Sequence, residues 1–162
     1  MSTKNNIGKT IWIAAALPGV NSATGTTGFN SLTFTQIGGV QVLPQLGVTG
    51  SNIDVPDLAS GFTAGVKGAM SGNESQATFR RVASDAGQTL AETTANSAEG
   101  VCSIKIGRGS GVNGALEPGD PIQYAQGYLN GYLEVQGDTT THEGFTVTFK
   151  QNDFTVDAVE PA

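Results

Sequence analysis

Pro121 to Val135 reads PIQYAQGYLNGYLEV, and the reading of its Asn130-Gly131 pair decides the fold. Asn-Gly between apolar runs is ordinarily the turn of a tight hairpin. Here the alternation passes through the pair. Tyr128, Asn130, Tyr132 and Glu134 fall on one side, and Leu129, Leu133 and Val135 on the other. A turn would break that phase, so the stretch predicts one long strand bulged at Gly131, with Tyr128 and Tyr132 on a common face.

The neighbouring segments carry the same period of two. Gly144–Lys150 places Phe145, Val147 and Phe149 opposite Thr146, Thr148 and Lys150. Asn152-Asp153 reads as a turn, after which Phe154–Val159 is expected to pair back. Upstream, Val101–Ile106 alternates, with Cys102, Ile104 and Ile106 on the apolar face. Thr10–Leu17, Ser31–Ile37 and Val40–Leu43 complete the candidate strands. Gly38-Gly39 marks a bulge or turn between the last two, and Val20–Gly28 reads as a loop.

Glu74–Ala98 supports two readings. Phe79, Val82, Ala83, Ala86 and Leu90 have helical spacing, yet Ser75–Val82 also works as a strand. Ser84-Asp85 is a good helix start, so the segment reads as a strand followed by a short helix from Asp85 to about Asn96. With Leu90 as its one large apolar residue, that helix must lean on a sheet. The fold class is therefore mainly β: a β-sandwich or partial barrel of seven to eight strands with one short flanking α-helix.

The bulk properties agree. The chain has 162 residues, enough for one domain over 1–162. Its 38% apolar content and 23 glycines suit strands and turns. A net charge of -6 disfavours tight binding of nucleic acid. One cysteine excludes an intrachain disulfide. The start, MSTKNNIGKTIWIAAALPG, has the outline of a signal peptide, but Ile11–Leu17 is short for one and fits a buried strand. No stretch approaches the roughly 18 apolar residues of a membrane span, so no membrane partner is expected.

Catalytic chemistry finds no constellation. His142 is the single histidine and lies in Thr-Thr-His-Glu-Gly, without a G-x-S-x-G elbow elsewhere. Cys102 reads as a small core residue. One His and one Cys cannot furnish a zinc site. Gly8-Lys9-Thr10 imitates the end of a phosphate-binding loop, but a strand follows where a helix should start. Gly107–Gly111 opens no helix, and Asp120, Asp138, Glu143 and Asp153 lack calcium-loop spacing. No enzyme activity, cofactor or metal is expected.

Gln45–Gly72 fits neither period. It is rich in Gly, Ala and Ser, and longer than a compact domain ordinarily leaves unstructured. Together with its leading strand it reads SLTFTQIGGVQVLPQLGVTGSNIDVPDLASGFTAGVKG, Ser31 to Gly68. This run resembles the tail tube, or major tail, proteins of long flexible-tailed bacteriophages and related phage-like particles. The family shows an aromatic-Thr-x-Ile-Gly-Gly-Val element, matched by Phe34–Val40. An Ile-Asp-Val-x-x-Leu element follows, matched by Ile53–Leu58, and then a Gly-apolar-Lys turn, matched by Gly65-Val66-Lys67-Gly68. The later order of strand, capped helix, Gly127-Tyr128-Leu129 strand and closing segment agrees, so the resemblance spans about Gly8 to Val159. Pro56-Asp57 and Ser71-Gly72-Asn73 depart from it.

The resemblance implies a subunit of a virion tail, assembled in the host bacterial cytoplasm. Six copies form a ring, rings stack into a tube, and double-stranded DNA passes through without specific binding. Tape-measure, tail-terminator and tail-tip proteins are the implied partners. Residues 45–72 become a long inter-subunit assembly loop, with Ile53, Asp54, Val55, Leu58, Phe62, Val66 and Lys67 as its ring-stacking residues. An acidic lumen would repel phosphate, with Asp54, Asp57, Glu134 and Asp157 as candidates to line it. Two alternatives stand beside this one. The first is the tube protein of a contractile or type VI secretion system. The second is a β-sandwich glycan-binding module that uses Tyr124, Tyr128, Tyr132 and Trp12 as stacking platforms.

Overall fold

The computed structural model describes residues 5–162; Met1 to Lys4, where the signal-like stretch begins, lie outside the described residues. The element order is β1 Lys9–Ala14, β2 Thr35–Ile37, β3 Val40–Val42, β4 Val48–Pro56, β5 Thr63–Gly72, β6 Glu74–Arg80, α1 Ala86–Asn96, β7 Val101–Arg108, β8 Pro121–Val135, β9 Gly144–Gln151 and β10 Val156–Val159. One antiparallel sheet runs β2-β1-β7-β8-β9-β6-β3, with β10 also on β8, while β4 and β5 pair only with each other. The fold is mainly β, and its large sheet does not close into a barrel.

β8 is a single strand through Asn130-Gly131, with a bulge between Asn130 and Tyr132 and Gly131 at φ 77°. Only glycine adopts that backbone freely. The bulge also inverts the alternation, which the sequence phase does not reveal. Leu129 faces Phe149, but after the extra residue it is Tyr132 that faces Val147. Tyr132 therefore turns inward and stacks on Phe145 at 5.2 Å, whereas Leu133 and Val135 turn out to solvent. Tyr128 and Tyr132 do not share a face.

A second correction concerns the C-terminal strand. β9 pairs with β8 over Gly127–Val135, and β10 continues along that same edge over Pro121–Tyr124, also antiparallel. Asn152–Thr155 bulges outward without reversing the chain, and the Asn152 N–H still reaches the Gln126 carbonyl at 2.9 Å.

The apolar alternation of β1, β6, β7, β8 and β9 turns Ile11, Ile13, Phe79, Ile104, Leu129, Phe145 and Phe149 to one concave face. Helix α1 covers it with Ala91, Leu90 and Ala95. Asp85 caps the helix by accepting the Gln88 N–H at 2.8 Å, and its other oxygen takes the Gly38 N–H at 3.2 Å. Gln88 is buried in the same corner. Its amide donates to the Gly38 and Arg80 carbonyls, each at 2.8 Å, and accepts from the Val82 N–H at 3.1 Å. This cross-bracing holds a helix that has little apolar surface of its own.

On the outer face, the segment before β2 folds back over half of the sheet. Phe29 stacks on Tyr124 at 4.8 Å, joined by Leu32 and Phe34. Under this cover lies Lys105, whose ammonium is 3.1 Å from both Glu160 carboxylate oxygens and 4.7 Å from the Trp12 ring centroid. Trp12 is thus half-buried on the outer side and not in the apolar core expected for it.

Candidate assembly surface

The expectation of an unstructured loop over 45–72 is overturned. β4 and β5 form a hairpin in register from Val48↔Gly72 to Pro56↔Thr63, with one irregularity between Gly50 and Asn52. Its base is tied to the body, where the Asn73 N–H donates to the Gly47 carbonyl at 2.9 Å and Lys150 donates to the Ser71 hydroxyl at 3.3 Å. Past that base the hairpin packs on nothing else among the described residues.

The register sorts the side chains. Ile53 opposes Val66 and Val55 opposes Ala64, so these four share one face. Asn52 opposes Lys67, Asp54 opposes Gly65 and Pro56 opposes Thr63 on the other. The arm is amphipathic, yet its apolar face is bare: Ile53, Val55 and Val66 are each about half exposed. The turn at the tip is ordered. The Asp57 N–H donates to the Phe62 carbonyl at 3.1 Å, and the Gly61 N–H to the Asp57 carbonyl at 3.0 Å. Leu58 at that tip is 101% exposed and Phe62 72%, which an isolated chain gains nothing by displaying. The Ser60 hydroxyl and the Ala59 N–H hold the Asp57 carboxyl below the usual carboxylate range.

Ile53, Asp54, Val55, Leu58, Phe62, Val66 and Lys67, expected from the resemblance to stack rings, sit together on one hairpin, with Asp54 and Lys67 on its polar face. The four lumen candidates do not converge. Asp54 and Asp57 are on the hairpin. Glu134 is at the far end of β8, where Arg81 pairs with it at 3.0 Å. Asp157 is on β10, accepting from Gln123 at 2.8 Å beside an open cleft of about 420 Å³ that Lys9 and Arg108 also line.

The residues that could carry chemistry are occupied in other ways. The Cys102 thiol is buried and burial pushes it up to about 12, so it stays protonated at neutral pH. His142 is exposed, 2.9 Å from Gln41. Asp120 accepts the Ser110 and Glu117 N–H groups, each at 2.8 Å, and so pins the loop before β8. The four-ring stacking platform does not exist: Tyr124 is buried, Tyr132 faces inward and the Trp12 ring packs on the Lys105 ammonium. No helix among the described residues is long and apolar enough to cross a membrane.

Sequence reasoning missed a second bare surface, the outward row begun by Leu133 and Val135. Its signal was the glycine at the bulge, which inverts the facing of everything after it.

No protein-family model matches the chain, and no curated sequence matches it. Its fold, however, is shared with solved structures. A chain of the anti-feeding prophage baseplate, determined with six-fold symmetry, superposes with a TM-score of 0.64 at 8% identity, over 98% of both chains. A chain of the sheath–tube complex of an extracellular contractile injection system, in its extended state, gives 0.63 at 7% identity, over 96% of this chain and 91% of that one. A chain of the virion of a native gene transfer agent gives 0.59 at 10% identity, over 97% of this chain and 100% of that one. The fold is that of components of phage-tail-like particles.

Proposed function

We propose that this chain is a structural subunit of a phage-type tail tube: six copies close into a ring, rings stack, and double-stranded DNA passes along the lumen without specific binding. The observation that carries the reading is the bare amphipathic hairpin standing on a body that has its own buried core. A lone two-stranded hairpin is marginal in water. Burying Ile53, Val55, Leu58, Phe62 and Val66 against neighbouring copies would contribute about 1.5–3 kcal/mol for each side chain fully covered, enough to offset ordering the arm. The fold shared with chains of six-fold and tail-like particles supports the same reading.

With its apolar face on neighbours, the hairpin turns Asp54 away from them, which makes Asp54 the acid best placed for the lumen. Glu134 is already neutralised by Arg81. The net charge of -6 then favours sliding over gripping. Tape-measure, tail-terminator and tail-tip proteins are the partners of such a tube. A tube inside a contractile sheath is the second reading, favoured by the superposition on a chain of the sheath–tube complex of a contractile injection system; a sheath protein encoded beside this chain would decide for it.

Negative-stain microscopy of the concentrated protein tests the reading. Tubes on the order of a hundred ångströms wide are expected, the size of six small domains around a duplex-sized channel. Deleting Ile53–Lys67, which joins Asn52 to Gly68, the neighbour of its cross-strand partner Lys67, should leave a folded monomer that makes no tubes. A full-length chain that stays monomeric even with tail-tip proteins added would refute the assignment.

A further inference from the structure

The hairpin is one uncovered β surface among the described residues, and a second lies toward the end of β6 remote from the hairpin's base. Beyond the Gly131 bulge, Leu133 faces Thr146, Thr146 faces Thr78, and Thr78 faces Val42, forming an outward row across β8, β9, β6 and β3. The row is uncharged, with Leu133 65% and Val42 52% exposed. Phe29, Leu32 and Phe34 cover the other half of this outer face, but nothing among the described residues covers this half. Next to it, Arg80 opposes Gly144, which opposes Val135. Arg80 is exposed and has no ion-pair partner among the described residues.

Strand β6 fixes the relation between the two surfaces. It begins at Glu74, where the chain arrives from the hairpin, and ends at Arg80, beside the bare row. The hairpin thus leaves β6 at the end opposite the row, and none of its residues pairs with the row. A protruding surface at one end and a receiving surface at the other make a heterologous contact, which extends from copy to copy without closing on two.

Resting on the tube reading above, we infer that the Asp57–Phe62 tip of one copy docks on the Leu133–Thr146–Thr78–Val42 row of the next, with the Asp57 carboxylate against Arg80. The occupant is a second copy because the two surfaces are complementary in kind. Leu58 and Phe62 are the most exposed large apolar groups of the arm, and they meet leucine, valine and threonine methyl groups. Among the described residues Asp57 is an acid without a cation and Arg80 a cation without an acid, and each stands beside its own apolar patch. The contact orders tip and row together and sets the direction of growth.

A charge swap tests the contact in the full-length chain. Arg80→Glu and Asp57→Arg should each raise the concentration needed for tube formation about tenfold, and the double variant should restore it. Circular dichroism confirms that each variant is folded. Independently, subunits carrying Leu58→Cys mixed with subunits carrying Leu133→Cys should give inter-subunit cross-links with a short bifunctional thiol reagent, Cys102 being buried and silent. Normal tubes from both single reversals, or tubes without cross-links, would overturn this docking site while leaving the tube. A wild-type chain that never polymerises would overturn both.

Discussion

Strands β9 and β5 meet at Gln151 and Gly72, yet they differ in every respect that burial can measure. Along β9, Phe145, Val147, Phe149 and Gln151 are buried and alternate with half-buried threonines and Lys150. Along β5 nearly every residue is exposed, although its backbone is laddered to β4 over almost its whole length, with a single irregularity. Hydrogen bonding alone therefore does not distinguish the two; side-chain burial does. The teaching is that one chain can hold a body specified by its own core and an arm whose apolar face is specified for something outside it. Substitutions in the two regions should fail in different ways, and their sizes rank accordingly.

The largest effect belongs to the body. Phe145 stacks on Phe79 at 5.0 Å and on Tyr132, with the Arg81 guanidinium 5.3 Å from its ring centroid. Phe145→Ala should cost about 4 kcal/mol of folding stability, the loss of a large buried ring and the cavity left behind. Urea unfolding of the monomer measures it. A cost below about 1 kcal/mol would mean that the sheet closes over the gap, and that this body is not a fixed jigsaw.

Next is the bracket at the C-terminus. Glu160 holds Lys105 under Trp12 and Phe34, and its backbone pairs with Gly119 and Asp120. Glu160→Ala strands a buried ammonium and should cost about 3 kcal/mol. Replacing both partners, Lys105→Met with Glu160→Leu, should recover most of that loss, because it removes the desolvated charge together with its partner. If the double variant is no better than the single, the pair acts through the backbone position of β10 and not through charge.

These two regions were not equally legible in the sequence. β7 and β9 announce themselves by clean alternation, β1 by its apolar run, and the capped helix by Ser84-Asp85. The bulge in β8 was readable from Asn130-Gly131 because the phase ran on, but its consequence for Leu133 and Val135 was not, since one extra residue exchanges the two faces. Asn152-Asp153 signals a turn by composition, and only the sheet edge left free along Pro121–Tyr124 explains why the chain continues forward. The Lys105–Glu160 pair and the Gln88 bracket join residues far apart in sequence, which no local pattern encodes. The hairpin was hidden for a different reason. Its apolar set is small and split, Ile53 and Val55 on one strand with Ala64 and Val66 on the other, among glycines and serines. The face emerges only once the two strands are paired.

The smallest expected effect on the monomer is therefore the most telling. Ile53→Ser with Val66→Ser removes two opposed apolar side chains from the arm. If that face has no partner within the chain, unfolding stability should change by no more than about 0.5 kcal/mol, as at any exposed position. Polymer yield, measured by sedimentation, should fall steeply, because the same two groups would lie buried in the assembled tube. A stability loss comparable to that of Phe145→Ala would show instead that the hairpin folds back on its own body in solution. Unchanged stability with unchanged polymer would show that the apolar face is decoration and that the tip alone makes the contact. The separation of the two readouts at one pair of residues distinguishes an arm made for a neighbour from one that is merely uncovered.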